Sequence, residues 1–237
     1  MKKIDIHTHV LPGVDDGAGD WDTCLEMLKQ SAESGVEAVI ATPHYIPWKS
    51  NTASDELQEL CQEAKEKLFQ KTGITMDIYA GHEIYYSVGV IDRLKEGAIL
   101  TLAGSRHILV EFRTSVAYHI MSQAVQEFRQ AGYVPIIAHV ERYLCLEKKG
   151  RVEALKEQGA LCQMNVEALQ GNFFDSESRR AKKMIAKEQI DFLASDMHNL
   201  TSRPPMQDEG LVWLYKNTTP EYQEKLLGGN CRQLFLK

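Results

Sequence analysis

The sequence has no apolar run that approaches the roughly 20 residues of a membrane-spanning helix, and its N-terminus lacks the apolar core of a signal peptide. We therefore expect a cytoplasmic protein that does not span a membrane. Its five cysteines are scattered, without a Cys-x-x-Cys spacing, which indicates reduced thiols. The net charge of −6 gives no basic excess and argues against a nucleic-acid partner. No linker or repeat divides the chain, so residues 1–237 are predicted to form a single domain.

A His-x-His motif lies close to the N-terminus. His7 and His9 end a short apolar run that is predicted to be a strand. Successive side chains of a strand point to opposite faces, so the two imidazoles share a face and can converge on one divalent cation. Taken alone the motif is a weak signal, since two surface histidines can have the same spacing. It gains weight only if further ligands follow later strands.

Strand and helix patterns alternate along the chain, which is typical of βα units with a parallel sheet. The second strand is almost continuously apolar, as expected for a strand that is covered on both faces. The predicted fold is an α/β barrel with seven strands. The strands are predicted at 3–6, 36–41, 74–80, 107–110, 134–138, 160–164 and 191–194, and the helices at 21–34, 54–71, 117–131, 151–158 and 176–187.

Histidines and carboxylates recur at the carboxyl ends of the predicted strands. In a βα-barrel those ends form one face, where active sites lie, so these side chains are predicted to form one metal site. Imidazole and carboxylate ligands without thiolate favour manganese, iron or zinc. The ligands are too many for one ion, and a carboxylate that bridges two ions suits hydrolysis of phosphate esters by a metal-activated hydroxide. The residues are His7, His9, His44, Glu83, Glu111, His139, Asp196 and His198.

Three other histidines are predicted to lie outside this site. His82 neighbours Glu83, and strand alternation turns the two side chains apart, which favours a packing role for His82. His107 lies near the start of its strand, and His119 lies on a helix. Both are expected to be surface or packing residues.

Seven motifs occur in a characteristic order. LPGVDDGA, ATPHY, GHEI, VEF, AHVERY and SDMHN follow the N-terminal His-x-His. Together they resemble the PHP (polymerase and histidinol phosphatase) superfamily, and more narrowly the bacterial manganese-dependent protein-tyrosine phosphatases of capsule and exopolysaccharide clusters. The resemblance covers nearly the whole chain. It implies a distorted (β/α)7 TIM-like barrel that holds up to three divalent ions, with Mn2+ preferred and Fe or Zn as alternatives.

The resemblance also implies how the ions share their ligands. Family spacing selects Asp16 from the Asp15–Asp16 pair, but the residue pattern by itself leaves that choice open. The first ion is held by His7, His9, Glu83 and Asp196, the second by Glu83, Glu111 and His139, and the third by Asp16, His44 and His198.

Two arginines leave the same face of the predicted barrel. Arg142 lies three residues after His139, and Arg203 lies five residues after His198. A guanidinium group binds phosphate oxygens through two parallel hydrogen bonds, and the resemblance assigns both arginines to phosphate binding and catalysis. The aromatic side chains of Tyr45, Trp48 and Tyr143 are predicted either to line the mouth and receive a phenyl ring or to cap the barrel rim.

The predicted function is hydrolysis of phosphotyrosine in a protein. The resemblance implies that the substrate is the tyrosine-rich C-terminal tail of a membrane-associated bacterial tyrosine kinase. The alternative is a phosphatase for histidinol phosphate or another small phosphomonoester on the same metal site, and the full ligand set disfavours a non-catalytic regulatory barrel. Cys145 and Arg151 match the C-x5-R spacing of cysteine-dependent phosphatases, but Glu147 and the sparse glycines fit a phosphate-cradling loop poorly.

Overall fold

The computed structural model describes residues 2–171, 174–206 and 208–235. In that part of the chain nine β-strands are interspersed with helices, and all paired strands are parallel. The strands are β1 (Lys3–Thr8), β2 (Val36–Ala41), β3 (His44–Tyr45), β4 (Asp77–Ala80), β5 (Glu83–Tyr85), β6 (His107–Glu111), β7 (Val134–Ile137), β8 (Leu161–Asn165) and β9 (Phe192–Ala194).

Local signals set the ends of several helices. The Asp20 side chain accepts a hydrogen bond of 2.8 Å from the backbone N–H of Thr23 and so caps the first helix. Gly73 ends the second helix with a left-handed φ of 72°. None of the helices in the described ranges is both long and apolar enough to cross a membrane. The helices are α1 (Trp21–Glu33), α2 (Ser54–Thr72), α3 (Val90–Lys95), α4 (Tyr118–Gln130), α5 (Arg151–Glu157), α6 (Ser176–Ala186), α7 (Asp208–Asn217), α8 (Pro220–Glu224) and α9 (Asn230–Arg232).

The strands form a curled parallel sheet in two segments. One segment has the order β1-β2-β4, and the other has the order β3-β5-β6-β7-β8-β9. The two segments meet where β1 passes the end of β9, because Thr8 pairs in parallel with Met197 and the backbone N–H of His9 donates to the Met197 carbonyl at 2.9 Å. The result is a half-barrel in which the carboxyl ends of the strands lie at one edge.

The prediction of seven strands missed β3 and β5. These strands contain two and three residues, and each follows its predecessor after a two-residue break. Proline has no N–H group for a ladder hydrogen bond, so β2 ends before Pro43. In runs of two or three residues, an alternation of apolar and polar side chains cannot be recognised. All predicted elements are present with ends shifted by at most three residues, whereas α3 and α7–α9 were not predicted.

Two apolar clusters cover the two faces of the sheet. Successive residues of one strand alternate between them, since Ile108 and Val110 belong to the larger cluster beneath the helices and Leu109 to the smaller one. The smaller cluster also contains Phe192 and the C-terminal Leu234. Apolar side chains cover both faces of the sheet. The polar side chains therefore collect at its carboxyl edge, where they contact one another.

Candidate metal centre

Four histidines surround the carboxylate of Glu83. Its Oε2 atom lies 3.3 Å from Nε2 of both His7 and His9 and 3.0 Å from Nδ1 of His44. Its Oε1 atom lies 3.0 Å from Nε2 of His139. The side chain is 1 % exposed and therefore almost sealed from water. A carboxylate shared by four imidazoles is placed as a ligand that can bridge two ions.

Asp196 joins the histidines to the two arginines. Its Oδ1 atom lies 3.3 Å from Nε2 of His7 and 3.4 Å from Nε2 of His9. Its Oδ2 atom lies 2.6 Å from Nη2 of Arg203 and 3.4 Å from Nη2 of Arg142. The groups predicted to bind metal and the groups predicted to bind phosphate therefore meet at one carboxylate.

The structure brings Asp16, rather than Asp15, into the ligand cluster. The Oδ1 atom of Asp16 lies 3.5 Å from Nε2 of both His44 and His198. The Oδ2 atom of Asp15 instead lies 2.6 Å from Nδ1 of His9 and accepts a hydrogen bond of 3.0 Å from the backbone N–H of His44. Asp15 thus orients the His9 ring so that Nε2 faces the centre.

Among the residues that the structure describes, atoms that could bind metal fall into three groups, and within each group they lie within 4.8 Å of one another. This grouping differs from the one implied by the resemblance, because His9 belongs to two groups and His44 stands with the two glutamates. His139 borders the last group, since its Nε2 atom lies 3.6 Å from Oε1 of Glu111. All nine candidate ligands lie in one connected cluster. The groups are His9, Asp16, His44 and His198; His7, His9 and Asp196; and His44, Glu83 and Glu111.

Backbone geometry at the strand ends orients these side chains toward the cluster. His44 and Glu83 begin β3 and β5, immediately after the two breaks that sequence patterns missed. His139 and Asp196 each lie two residues beyond a strand and take left-handed φ angles of 34° and 54°. Such angles cost on the order of 1 kcal/mol or more in a non-glycine residue, so surrounding contacts must hold them.

Gly17 lets the loop after β1 pack against His9. A Cβ atom at Gly17 would lie 2.0 Å from the His9 carbonyl oxygen, which accepts a hydrogen bond of 3.0 Å from the backbone N–H of Ala18. The backbone N–H of Gly17 donates to Asp15 at 3.0 Å. The glycine of the LPGVDDGA motif therefore positions the aspartate pair.

Opposite charges stabilise the two central carboxylates. Burial raises the pKa of Glu83, but the charge of His7 and a hydrogen bond from His139 outweigh it and hold that pKa well below the usual range. Burial also opposes ionisation of Asp196, yet His7 and His9 keep its pKa well below normal. Both carboxylates are therefore ionised at neutral pH and available to a cation.

Other members of the cluster hold protons near neutral pH. Burial lowers the pKa of His9, but hydrogen bonding to Asp15 and the nearby carboxylates raises it well above its ordinary value. Burial, together with the charge of Glu83, raises the pKa of Glu111 to about 7. A metal that binds here has to displace these protons, so its affinity should rise with pH.

The residues fit a set of divalent cations. Within the described ranges, three buried atoms of the cluster, His44 Nδ1, Asp196 Oδ1 and His198 Nε2, make no hydrogen bond of acceptable geometry. An unpaired buried polar atom costs about 1–3 kcal/mol. All three atoms face other candidate ligands, and a donor set of imidazole nitrogens and carboxylate oxygens suits manganese, iron and zinc.

A buried amide pair beneath the cluster was missed by the sequence reasoning. The Gln163 Oε1 atom accepts a hydrogen bond of 2.8 Å from the backbone N–H of His139 and lies 3.2 Å from Nδ1 of His7. The Gln163 amide donates to Asn165 Oδ1 at 2.9 Å, and the Asn165 amide donates to Asp196 Oδ2 at 2.7 Å. Because a backbone N–H only donates, Oε1 must face it, and the neutral His7 ring therefore carries its proton on Nδ1 and offers Nε2 to a metal. The sequence signal that could have identified this pair is the i, i+2 spacing of Gln163 and Asn165 at the end of β8.

Gln163→Leu is expected to weaken metal binding by roughly 10- to 100-fold, because the His7 ring loses its orienting acceptor. The measurement is calorimetric titration of the metal-free protein with Mn2+. Gln158→Leu makes the same chemical change at the end of α5, where the side chain contacts Ser122 instead, and should leave the affinity unchanged. Equal affinities in both variants, with matching thermal unfolding, would remove Gln163 from the ligand support.

The two tyrosines predicted at the mouth lie elsewhere. Tyr45 is 8 % exposed, and Tyr143 is fully buried. The Tyr143 hydroxyl accepts a hydrogen bond of 3.0 Å from the backbone N–H of Phe112 and lies 3.4 Å from Nδ1 of His139. The prediction that they bind substrate is therefore wrong, because apolar packing draws both rings into the core. Trp48, in contrast, is 66 % exposed.

His82 packs as predicted. It is buried, and its Nδ1 atom accepts a hydrogen bond of 2.9 Å from the backbone N–H of Leu100. Its ring stands edge-on to Tyr45, with centroids 5.6 Å apart. Burial lowers its pKa to about 4, so it stays neutral.

Cys145 lacks the setting of a catalytic thiolate. Burial raises the pKa of its thiol, and the charge of Arg151 only partly opposes that effect. A nucleophilic cysteine needs a lowered pKa. The C-x5-R spacing is therefore a chance match.

Comparison with known proteins agrees with the metal-site geometry. Residues 3–236 match the family described as "Capsular polysaccharide synthesis, CpsB/CapC". The tyrosine-protein phosphatase CpsB of Streptococcus pneumoniae is 29 % identical over 239 residues, which cover 98 % of each chain. The putative tyrosine-protein phosphatase CapC of Staphylococcus aureus is 32 % identical over 205 residues, covering 86 % of this chain and 80 % of CapC.

A solved structure also superposes closely. It comes from work on YwqE of Bacillus subtilis and CpsB of Streptococcus pneumoniae, described as unique metal-dependent tyrosine phosphatases. The TM-score is 0.88 at 29 % identity, with 98 % of this chain and 94 % of the other covered.

Proposed function

This chain belongs to the CpsB/CapC family of capsular polysaccharide synthesis, and from that membership we propose that it hydrolyses phosphotyrosine in proteins by metal-dependent chemistry. The family and the enzyme class predicted from the motifs are confirmed. One observation carries the proposal. Glu83 lies within 3.3 Å of four histidine nitrogens, and Asp196 links that cluster to two arginines.

We propose that the cluster holds up to three divalent ions, with Mn2+ as the native metal and Fe or Zn as alternatives. When bound, these ions supply Lewis-acid stabilisation of phosphoryl oxygens and an acidified water, which is what hydrolysis of a phosphate ester requires. The proposed ligand sets are His7, His9, Glu83 and Asp196; Glu83, Glu111 and His139; and Asp16, His44 and His198.

Arg142 and Arg203 are proposed to bind phosphoryl oxygens. Both are 30 % exposed, so a phosphate arriving from solvent can reach them, and both already point at the Asp196 carboxylate. As the phosphorus–oxygen bond breaks, fixed guanidinium groups stabilise charge on the equatorial oxygens. The phenolate leaving group has a pKa of about 10 and needs little protonation, so no dedicated general acid is required.

The finer predictions belong to the same proposal. The substrate is the C-terminal tail of a bacterial tyrosine kinase, and the protein works in the cytoplasm. Residues 1–237 act as one domain. Counting β2 with β3 and β4 with β5 as one broken strand each gives the seven strands of a distorted (β/α)7 barrel.

A panel of substrates tests the function. We expect kcat/KM for a phosphotyrosine peptide to exceed that for the matched phosphoserine peptide by on the order of 100-fold. Phenolate leaves more readily than an alkoxide, and a serine side chain is too short for a site whose central carboxylates are 1 % exposed. Histidinol phosphate is the third substrate, and a clear preference for it would assign the chain to small phosphomonoesters instead.

A further inference from the structure

A groove of about 620 Å3 lies between α6 and the segment that leads into α5. Its floor contains the buried apolar side chains of Leu146, Val152 and Met184. Basic side chains form its walls and rim. They are Lys148, Lys149, Arg179, Arg180, Lys183 and Lys187.

Basic residues outnumber acidic ones in the described lining of the groove, by six to two. Two carboxylates line it, and one of them, Glu147, is 3.1 Å from Arg180. Within the described part of the chain, Lys149 and Lys183 form no ion pair. Six basic residues in one groove are a local departure in a chain of net charge −6. Such a concentration of positive potential attracts an anionic partner and orients it on approach.

The groove is joined to the metal centre through one short path. The Arg180 Nε atom donates a hydrogen bond of 3.2 Å to the carbonyl of Glu141, and the next residue is Arg142, one of the two site arginines. A smaller cavity, lined by Arg142 and the first turn of α6, instead carries the carboxylates Glu141, Glu167, Asp175 and Glu177. The basic groove therefore adjoins the site through Arg180, whereas the cavity that contains Arg142 is lined mainly by carboxylates.

We propose that this groove docks acidic residues that flank the phosphotyrosine of a polypeptide substrate, with one apolar side chain of that substrate on the floor. The inference rests on the proposed phosphatase function. A phosphate monoester alone fills only the metal centre, so the groove distinguishes an acidic polypeptide from a small phosphate ester. Charge complementarity at the rim of such a site mainly raises the rate of capture and fixes orientation.

The double variant Lys149→Glu/Lys183→Glu tests the proposal. For a phosphotyrosine peptide flanked by glutamates, kcat/KM should fall by roughly 10-fold or more, chiefly through KM, because the rim then repels the peptide. An alanine-flanked phosphotyrosine peptide and p-nitrophenyl phosphate should change by less than about twofold. Raising the salt to about 0.5 M should largely remove the difference, since exposed charges are screened.

Lys95→Glu/Lys225→Glu is the matched control, because both lysines are exposed, lie outside the groove and give the same change in net charge. Fluorescence anisotropy measures the affinity of an unphosphorylated glutamate-flanked tyrosine peptide for the groove in the absence of catalysis. If all phosphatase activity is absent, the proposed function fails while this binding assay still decides the docking. Equal effects of the double variant on all three substrates would overturn the proposal. So would wild-type binding of the glutamate-flanked peptide beside weakened binding of polyphosphate or anionic vesicles.

Discussion

Glu83→Ala is expected to lower kcat by roughly 1000-fold or more and to reduce the number of bound metal ions. In the structure this one carboxylate is the common neighbour of His7, His9, His44 and His139. Its removal leaves facing imidazoles without the negative charge that is proposed to hold two cations close together. Glu83→Gln keeps the volume but not the charge, so it should lose metal nearly as severely. Metal content by mass spectrometry is measured beside kcat for both variants.

Chelation of the wild-type protein should abolish turnover in the same assay, and Mn2+ should restore it. Cys145→Ser supplies the chemical control, because a cysteine-dependent phosphatase would lose nearly all activity while a metal enzyme keeps most of it. Turnover that resists chelators and disappears in Cys145→Ser would overturn the metal-dependent mechanism. Near-normal kcat and full metal occupancy in Glu83→Ala would remove that residue from the site.

Arg142→Ala and Arg203→Ala are each expected to lower kcat/KM by about 30- to 1000-fold, which corresponds to about 2–4 kcal/mol of transition-state binding. Both guanidinium groups converge on Oδ2 of Asp196, at 3.4 Å and 2.6 Å, so each can reach a phosphoryl group held beside that carboxylate. The bound-metal count at saturating Mn2+ should stay that of the wild type. Lysine should rescue only part of the loss, because an ammonium group cannot make two parallel hydrogen bonds.

Arg232→Ala is the matched control for the arginine variants. Its guanidinium pairs with Glu224 at 2.7 Å and contacts the backbone of Lys2, near the N-terminus and outside the metal centre. Its removal should leave kcat/KM unchanged. Wild-type kinetics in both Arg142→Ala and Arg203→Ala would make these two ordinary surface arginines.

The identity of the candidate ligands followed from local pattern. Apolar runs of four or more residues revealed where most strands end, and the carboxyl ends of parallel strands share one edge. Histidines and carboxylates at those ends, such as His139 and Asp196, were therefore identifiable without coordinates. The two-residue strand β3 and the three-residue strand β5 escaped because alternation needs a longer run to be recognised.

Contacts between residues distant in sequence decided the rest. Asp15 and Asp16 are adjacent, and only the fold of their loop against His9 separates a ring-orienting aspartate from one in the ligand cluster. The contact of Gln163 with His7 spans 156 positions, and the burial of Tyr143 depends on strands that surround it. Side-chain periodicity determines which face a residue occupies, but not which distant group packs against that face. The sequence by itself therefore determined which types of side chain form the candidate site. The tertiary structure decided which residues orient the ligands, which aromatic residues are buried away from the site, and where the basic groove lies.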